Sequence, residues 1–123
     1  MPGFRSPHDP GKGRQILLET VGERRWQVQV RAWLHRAGFV SYHTFDSRKS
    51  EPGFPDIIAI LPGVVIIAVE LKTNRGRVTS SQQFWLDAFR SVGIYTGVWR
   101  PRDSDAIEAA ISAWARQLIT ARS

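Results

Sequence analysis

The stretch GFPDIIAILPGVVIIAVELK, residues 53–72, decides how the chain is read. Two β-branched apolar runs, Ile57 to Ile60 and Val64 to Leu71, flank Leu61-Pro62-Gly63. Runs this short, bounded by turn residues, form strands, here the two arms of a hairpin. Charges stand at its open end, with Asp56 before the first strand and Glu70 and Lys72 closing the second. Burying a charge costs several kcal/mol or more unless it is paired or holds an ion. Two acids and a lysine in that place suit metal-assisted phosphodiester chemistry.

Hairpin register decides whether the acids converge. Glu70 and Lys72 are two apart on one strand and leave the same face. If the loop is the three residues Leu61 to Gly63, Ile60 faces Val64 and Asp56 lies opposite Ala68, on the face of Glu70. A two-residue Pro62-Gly63 loop pairs Asp56 with Val69 and sends the acids to opposite faces. The chemistry therefore predicts an odd loop or a bulge, with Asp56 and Glu70 diagonal neighbours roughly 7 to 8 Å apart, within reach of one cation.

Outward from the hairpin, Trp26, Val30, Trp33, Leu34 and Ala37 form an amphipathic stripe that predicts a helix over Thr20 to Ala37, stopped by Gly38. Phe39 to Phe45 reads as a strand and Asp46 to Gly53 as a polar loop. Thr79 to Val92 has helical spacing, Ile94 to Trp99 is a further strand, and Ser104 to Thr120 a last helix. The order α-β-β-β-α-β-α predicts an α/β fold, a mixed sheet flanked by helices. Residues 1–15, with three Pro, three Gly and three basic residues, read as a flexible basic tail, and 16–123 as one domain.

At 123 residues, 42% hydrophobic and 23% charged, the composition is that of a folded globular domain. No apolar stretch is long enough to cross a bilayer and the first residues lack the apolar centre of a secretory signal, so the expectation is a soluble, cytoplasmic protein without a membrane partner. With no cysteine there are no disulfides or thiolate sites, and any metal is a hard one held by oxygen. A net charge of +6, carried mainly by Arg (fourteen of seventeen basic residues), leans toward a nucleic-acid partner.

Three strings carry a family resemblance: SEPGFPD at Ser50 to Asp56, AVELKTNRGRVTSSQ at Ala68 to Gln82, and VWRP at Val98 to Pro101. In this order they resemble the PD-(D/E)XK nucleases, and specifically their virus-type replication-repair branch, VRR-NUC, over roughly Gly22 to Pro101. The resemblance implies a restriction-endonuclease-like core and a Mg²⁺- or Mn²⁺-dependent deoxyribonuclease. Small stand-alone members of the branch occur in phages and prophages, and some resemble dimeric enzymes acting on branched DNA. It implies that Asp56, Glu70 and the backbone carbonyl of Leu71 hold the metal and that Lys72 stands beside the reacting phosphate. Glu23 matches a helical acid of the family, which implies a further metal ligand, and Gln82 a glutamine opening the helix after the catalytic strand, which implies a place in the catalytic set as a supporting ligand or hydrogen-bonding group. The substrate expected is branched DNA, such as a four-way junction in repair or recombination, cut by a homodimer, since one small domain without a helix-turn-helix or zinc module has little surface for reading sequence.

Duller readings stand beside these. Thr20-Val21-Gly22-Glu23 and Thr79-Ser80-Ser81-Gln82 each satisfy a helix capping box, which explains Glu23 and Gln82 without a metal. Arg48 and Lys49 lie in a polar loop, and Arg75 and Arg77 in a turn past Lys72; each pair is either solvated or grips the DNA backbone. His43 is a candidate site neighbour. The tryptophans read as core. Two other functions fit the same residues: a non-catalytic nucleic-acid-binding module on a nuclease fold, and a nuclease subunit active only in a larger complex.

Overall fold

The computed structural model describes residues 22–44 and 50–122. The 1–15 tail, Thr20, Phe45, Arg48 and Lys49 lie outside them. Helix α1 (Glu23–Ala37) is followed by strands β1 (Val40–His43), β2 (Ile57–Leu61) and β3 (Val65–Leu71). Helix α2 (Ser80–Ser91), strand β4 (Tyr95–Trp99), a 3-10 turn at Pro101–Asp103 and helix α3 (Ser104–Arg122) complete the order, which is the predicted one apart from that turn. The strands lie as β1-β2-β3-β4 in one mixed sheet, antiparallel except for the β3–β4 pair. Among the described residues no helix is long and apolar enough to cross a membrane.

The apolar stripe of α1 does what its spacing dictates. Trp26, Val30 and Leu34 are buried against Ile57, Ala59 and Leu61 of β2 and Ile67, Val69 and Leu71 of β3. Ile107 and Ile111 of α3 join them on the same side of the sheet. Helix α1 ends at Gly38, whose φ of 99° is a conformation that glycine adopts without a Cβ penalty. The opposite sheet face carries Ala68 and Glu70 of β3, and α2 lies against β3 and β4 there. Among the described residues nothing covers the β1–β2 half of that face, where Val40 is 67% and Tyr42 63% exposed.

The hairpin has an odd loop, one residue later than expected. Leu61 pairs with Val65, so the loop is Pro62 to Val64 rather than Leu61 to Gly63. Val64 N donates to Leu61 O at 2.9 Å and Gly63 has φ 81°. That places Pro62 and Gly63 at the two central positions of a β-turn, where proline's fixed φ and glycine's freedom are each preferred. The shift keeps Leu61 inside the ladder and fully buried. Its parity is the predicted one, but the register, continued one step past Ile57↔Val69, sets Asp56 directly across from Glu70 instead of diagonal to it.

Candidate active site

Asp56 and Glu70 meet where β2 begins and β3 ends. The hairpin puts both on the α2 face, and the backbone locks Asp56 in place. Thr44 N donates to the Asp56 carbonyl at 2.9 Å, Thr44 Oγ1 donates to the Pro55 carbonyl at 3.3 Å, and Leu71 N donates to Asp56 Oδ2 at 2.8 Å. One carboxylate oxygen of Asp56 is thereby held, and the other is left to turn toward Glu70. An extended residue sends its N–H and C=O to the same neighbouring strand, so the Leu71 carbonyl also points to the Asp56 side.

Glu70 is an acid in the wrong solvent. It is 2% exposed. Its Oε1 accepts from Gln82 Nε2 at 3.1 Å, while Oε2 is buried with no hydrogen-bond partner among the described residues. Burial, a hydrogen bond to Asp56 that the protonated form makes, and the Asp56 charge push its pKa up to about 9; the nearby Lys72 charge opposes this and does not reverse it. At neutral pH this carboxyl holds its proton.

Gln82 satisfies both readings of its position. Its backbone N donates to Thr79 Oγ1 at 3.2 Å and its Oε1 accepts from Thr79 N at 2.9 Å, which is the capping box. The same side chain spends its Nε2 on Glu70. Only this amide orientation gives the Thr79 N–H an acceptor, so the cap itself fixes which end faces Glu70. At the other predicted box, α1 starts at Glu23 with Gly22 as its N-cap and no side-chain cap bond. Glu23 therefore stands in the first position of the helix, one turn from Gln27, and both line the cavity in front of the acids.

That cavity, of about 200 Å³, is lined by Glu23, Gln27, Glu51, Asp56, Glu70 and Gln82 among others. Among the described residues no three acids or histidines converge tightly enough to form a metal cage by themselves. The close pair is Asp56 and Glu70, with Glu23 and Glu51 on the surrounding wall. Glu51 and Gln27 were missed from the sequence, although Gln27 follows Glu23 at the i+4 spacing of one helix face.

The loop bearing Glu51 is fastened to α2. Trp85 Nε1 donates to the Pro52 carbonyl at 3.1 Å, and Phe54 meets the Trp85 ring edge-on at 5.1 Å. Gly53, at φ 82°, runs so close that a Cβ there would sit 2.3 Å from the Ser81 carbonyl carbon. Trp85 thus positions a site loop, whereas Trp26 and Trp99 are core residues as expected.

Lys72 follows β3 directly and is half-buried, close enough for its charge to act on Glu70 but not among the residues that line the cavity; its N–H donates to Trp99 O at 3.1 Å. Arg75 and Arg77 are exposed on the turn beyond it. His43 is not brought in. It pairs with Ile57, a core residue, and so leaves the sheet from the face opposite the acids; burial and the Arg31 charge lower its pKa.

Known proteins resemble this chain in fold. Two solved structures share the fold: a "VRR_NUC domain" at 24% identity and TM-score 0.58, covering 69% of this chain and 91% of that one, and a "VRR_NUC domain protein" at 18% and 0.59, covering 78% and 89%. A Holliday junction resolvase, Hjc of Archaeoglobus fulgidus, is similar at 25% identity and TM-score 0.48 over 63% of this chain and 68% of that one. No curated protein matches the chain. The VRR-NUC domain model matches residues 18–103, so the chain belongs to the VRR-NUC family.

Proposed function

We propose that this protein is a Mg²⁺- or Mn²⁺-dependent DNA endonuclease with Asp56, Glu70 and Lys72 at its centre. The observation that carries the reading is the buried Glu70 carboxyl, set across from Asp56 on the wall of a polar cavity, with an Oε2 that no hydrogen-bond donor among the described residues reaches. A carboxyl buried this deeply without a donor escapes the cost of its charge either by holding a proton against Asp56 or by taking an ion, and two facing carboxyls can share one cation. The donor set around it is oxygen only, as a hard divalent cation requires.

Asp56, Glu70 and the Leu71 carbonyl are the groups that would hold the ion, with Glu23 on the cavity wall as a further carboxylate. When bound, the ion supplies Lewis acidity toward a phosphate oxygen and toward water. The protein's own part is positional. The Leu71 N–H fixes one Asp56 oxygen and Gln82 Nε2 fixes one Glu70 oxygen, and both acids line the cavity. Glu70 must release its proton to act as a ligand. Lys72 offsets the negative charge that builds on the phosphate during attack, or orients the attacking water. Arg75 and Arg77, with Arg48 and Lys49, supply backbone contacts to the DNA.

Branched DNA, such as a four-way junction, is the substrate class proposed, cut by a homodimer that presents two sites to two strands. The biological setting that fits is repair or recombination in the cytoplasm. Cleavage of labelled four-way and linear duplex DNA, alongside a mass measurement of the protein in solution, tests this. Preference for the junction by a dimer supports the substrate class; equal cutting of linear duplex, or activity as a monomer, overturns it.

A further inference from the structure

We infer that Arg100 is a positioning residue for Lys72, acting through the turn at Thr73 to Gly76; the inference rests on Lys72 serving the site as proposed above. The Arg100 Nη1 donates to the Thr73 carbonyl at 2.7 Å and to the Gly76 carbonyl at 2.6 Å, tying the two ends of the turn to one charged nitrogen. Two weaker ties reinforce it: Gly76 N donates to Thr73 Oγ1 at 3.1 Å, and Arg102 N donates to Asn74 Oδ1 at 2.9 Å. Bonds from a charged donor are the strong ones, so Arg100 is the main fastening.

The fastened turn folds back over the Lys72 side chain. A Cβ at Gly76 would lie 3.3 Å from Lys72 Cδ and 3.6 Å from Lys72 Cβ, so the lysine stem runs directly beneath this residue. A lysine carries about 2 kcal/mol of rotamer entropy. With its backbone held by Trp99 O at one end and its stem covered by the turn, Lys72 is restricted in where it can carry Nζ. Arg100 follows Trp99 directly, so the β4 end that sets the Lys72 backbone also anchors the cover on its side chain.

The chain has three lysines, Lys12, Lys49 and Lys72, which allows Lys72 to be read directly. The test is site-resolved acylation of the full-length protein by mass spectrometry, with Lys12 and Lys49 as internal references, on wild type, Arg100→Met and Arg100→Lys. Cleavage kinetics on four-way DNA with Mg²⁺ run alongside. Arg100→Met should raise Lys72 acylation about threefold or more relative to the references and lower kcat about tenfold with KM within about twofold, a loss of positioning without loss of binding. Arg100→Lys, which restores a charged donor, should recover part of both. Arg100→Gln, which keeps a polar side chain but loses the charged fork, should shift Lys72 in the same direction and serves if Arg100→Met does not fold. Unchanged Lys72 acylation in a folded Arg100→Met or Arg100→Gln protein overturns the inference. A rise in KM alone also overturns it, by making Arg100 a DNA contact. Acylation reads the coupling whether or not the protein cuts DNA, so a failed nuclease reading is told apart from a failed inference.

Discussion

Replacing Glu70 with Gln should make the metal-free protein more stable than wild type, and increasingly so as pH rises. In the fold Glu70 is 2% exposed, faces Asp56, and has a pKa of about 9 against an ordinary 4.5. Between those values the native state holds a proton that the unfolded chain has lost, so stability falls with increasing pH across the window. Glutamine stays neutral throughout and still offers an oxygen to Gln82 Nε2. From pH 5 to pH 7 the difference between E70Q and wild type should therefore grow by about 1.36 kcal/mol for each of about two pH units, on the order of 3 kcal/mol. Urea unfolding of both proteins in EDTA at pH 5, 6, 7 and 8 reads the titration of the Glu70–Asp56 pair, because the groups away from that pair are common to the two. With Mg²⁺ or Mn²⁺ the order should reverse: wild type gains stability as the ion displaces the proton, and E70Q does not. Parallel pH curves in EDTA, or equal stabilisation of both proteins by the ion, would refute the reasoning.

Two further substitutions probe the frame of the site. Gly53→Ala puts a methyl 2.3 Å from the Ser81 backbone at a left-handed φ and should cost on the order of 2–4 kcal/mol in chemical denaturation; a loss under about 1 kcal/mol would show that the loop can lift off α2 freely. Gln82→Ala removes the cap and the Glu70 contact together, so it should cost about 1–2 kcal/mol of stability and also lower cleavage about tenfold. A stability loss with full activity would leave Gln82 a capping residue only.

The sheet and helices were legible because their signals are local. The stripe from Trp26 to Ala37, the β-branched runs of the hairpin and the stops at Gly38 and Gly93 depend only on neighbours along the chain. Register was half legible. The demand that Asp56 and Glu70 share a face dictated an odd loop, but its offset depended on whether Pro62 or Leu61 opens the turn, and that was settled by burial of Leu61 in a core the hairpin alone does not contain. The roles of Gln82 looked exclusive in one dimension because a capping motif accounts for an amide's oxygen and leaves its nitrogen unassigned. Glu51 and Gln27 were not legible as site residues, since they meet the acids only after α1 and the 50–54 loop are docked from opposite sides. The Arg100 tie to the turn spans 24 to 27 residues and has no local signature.

Cleavage of labelled four-way DNA by wild type and Lys72→Ala, each with Mg²⁺, Mn²⁺ or EDTA, tests the central claim most directly. The account predicts cutting by wild type only when a divalent ion is present, and a loss of at least about a hundredfold in Lys72→Ala with the fold intact. Cutting in EDTA, or full activity without the Lys72 ammonium, would contradict it.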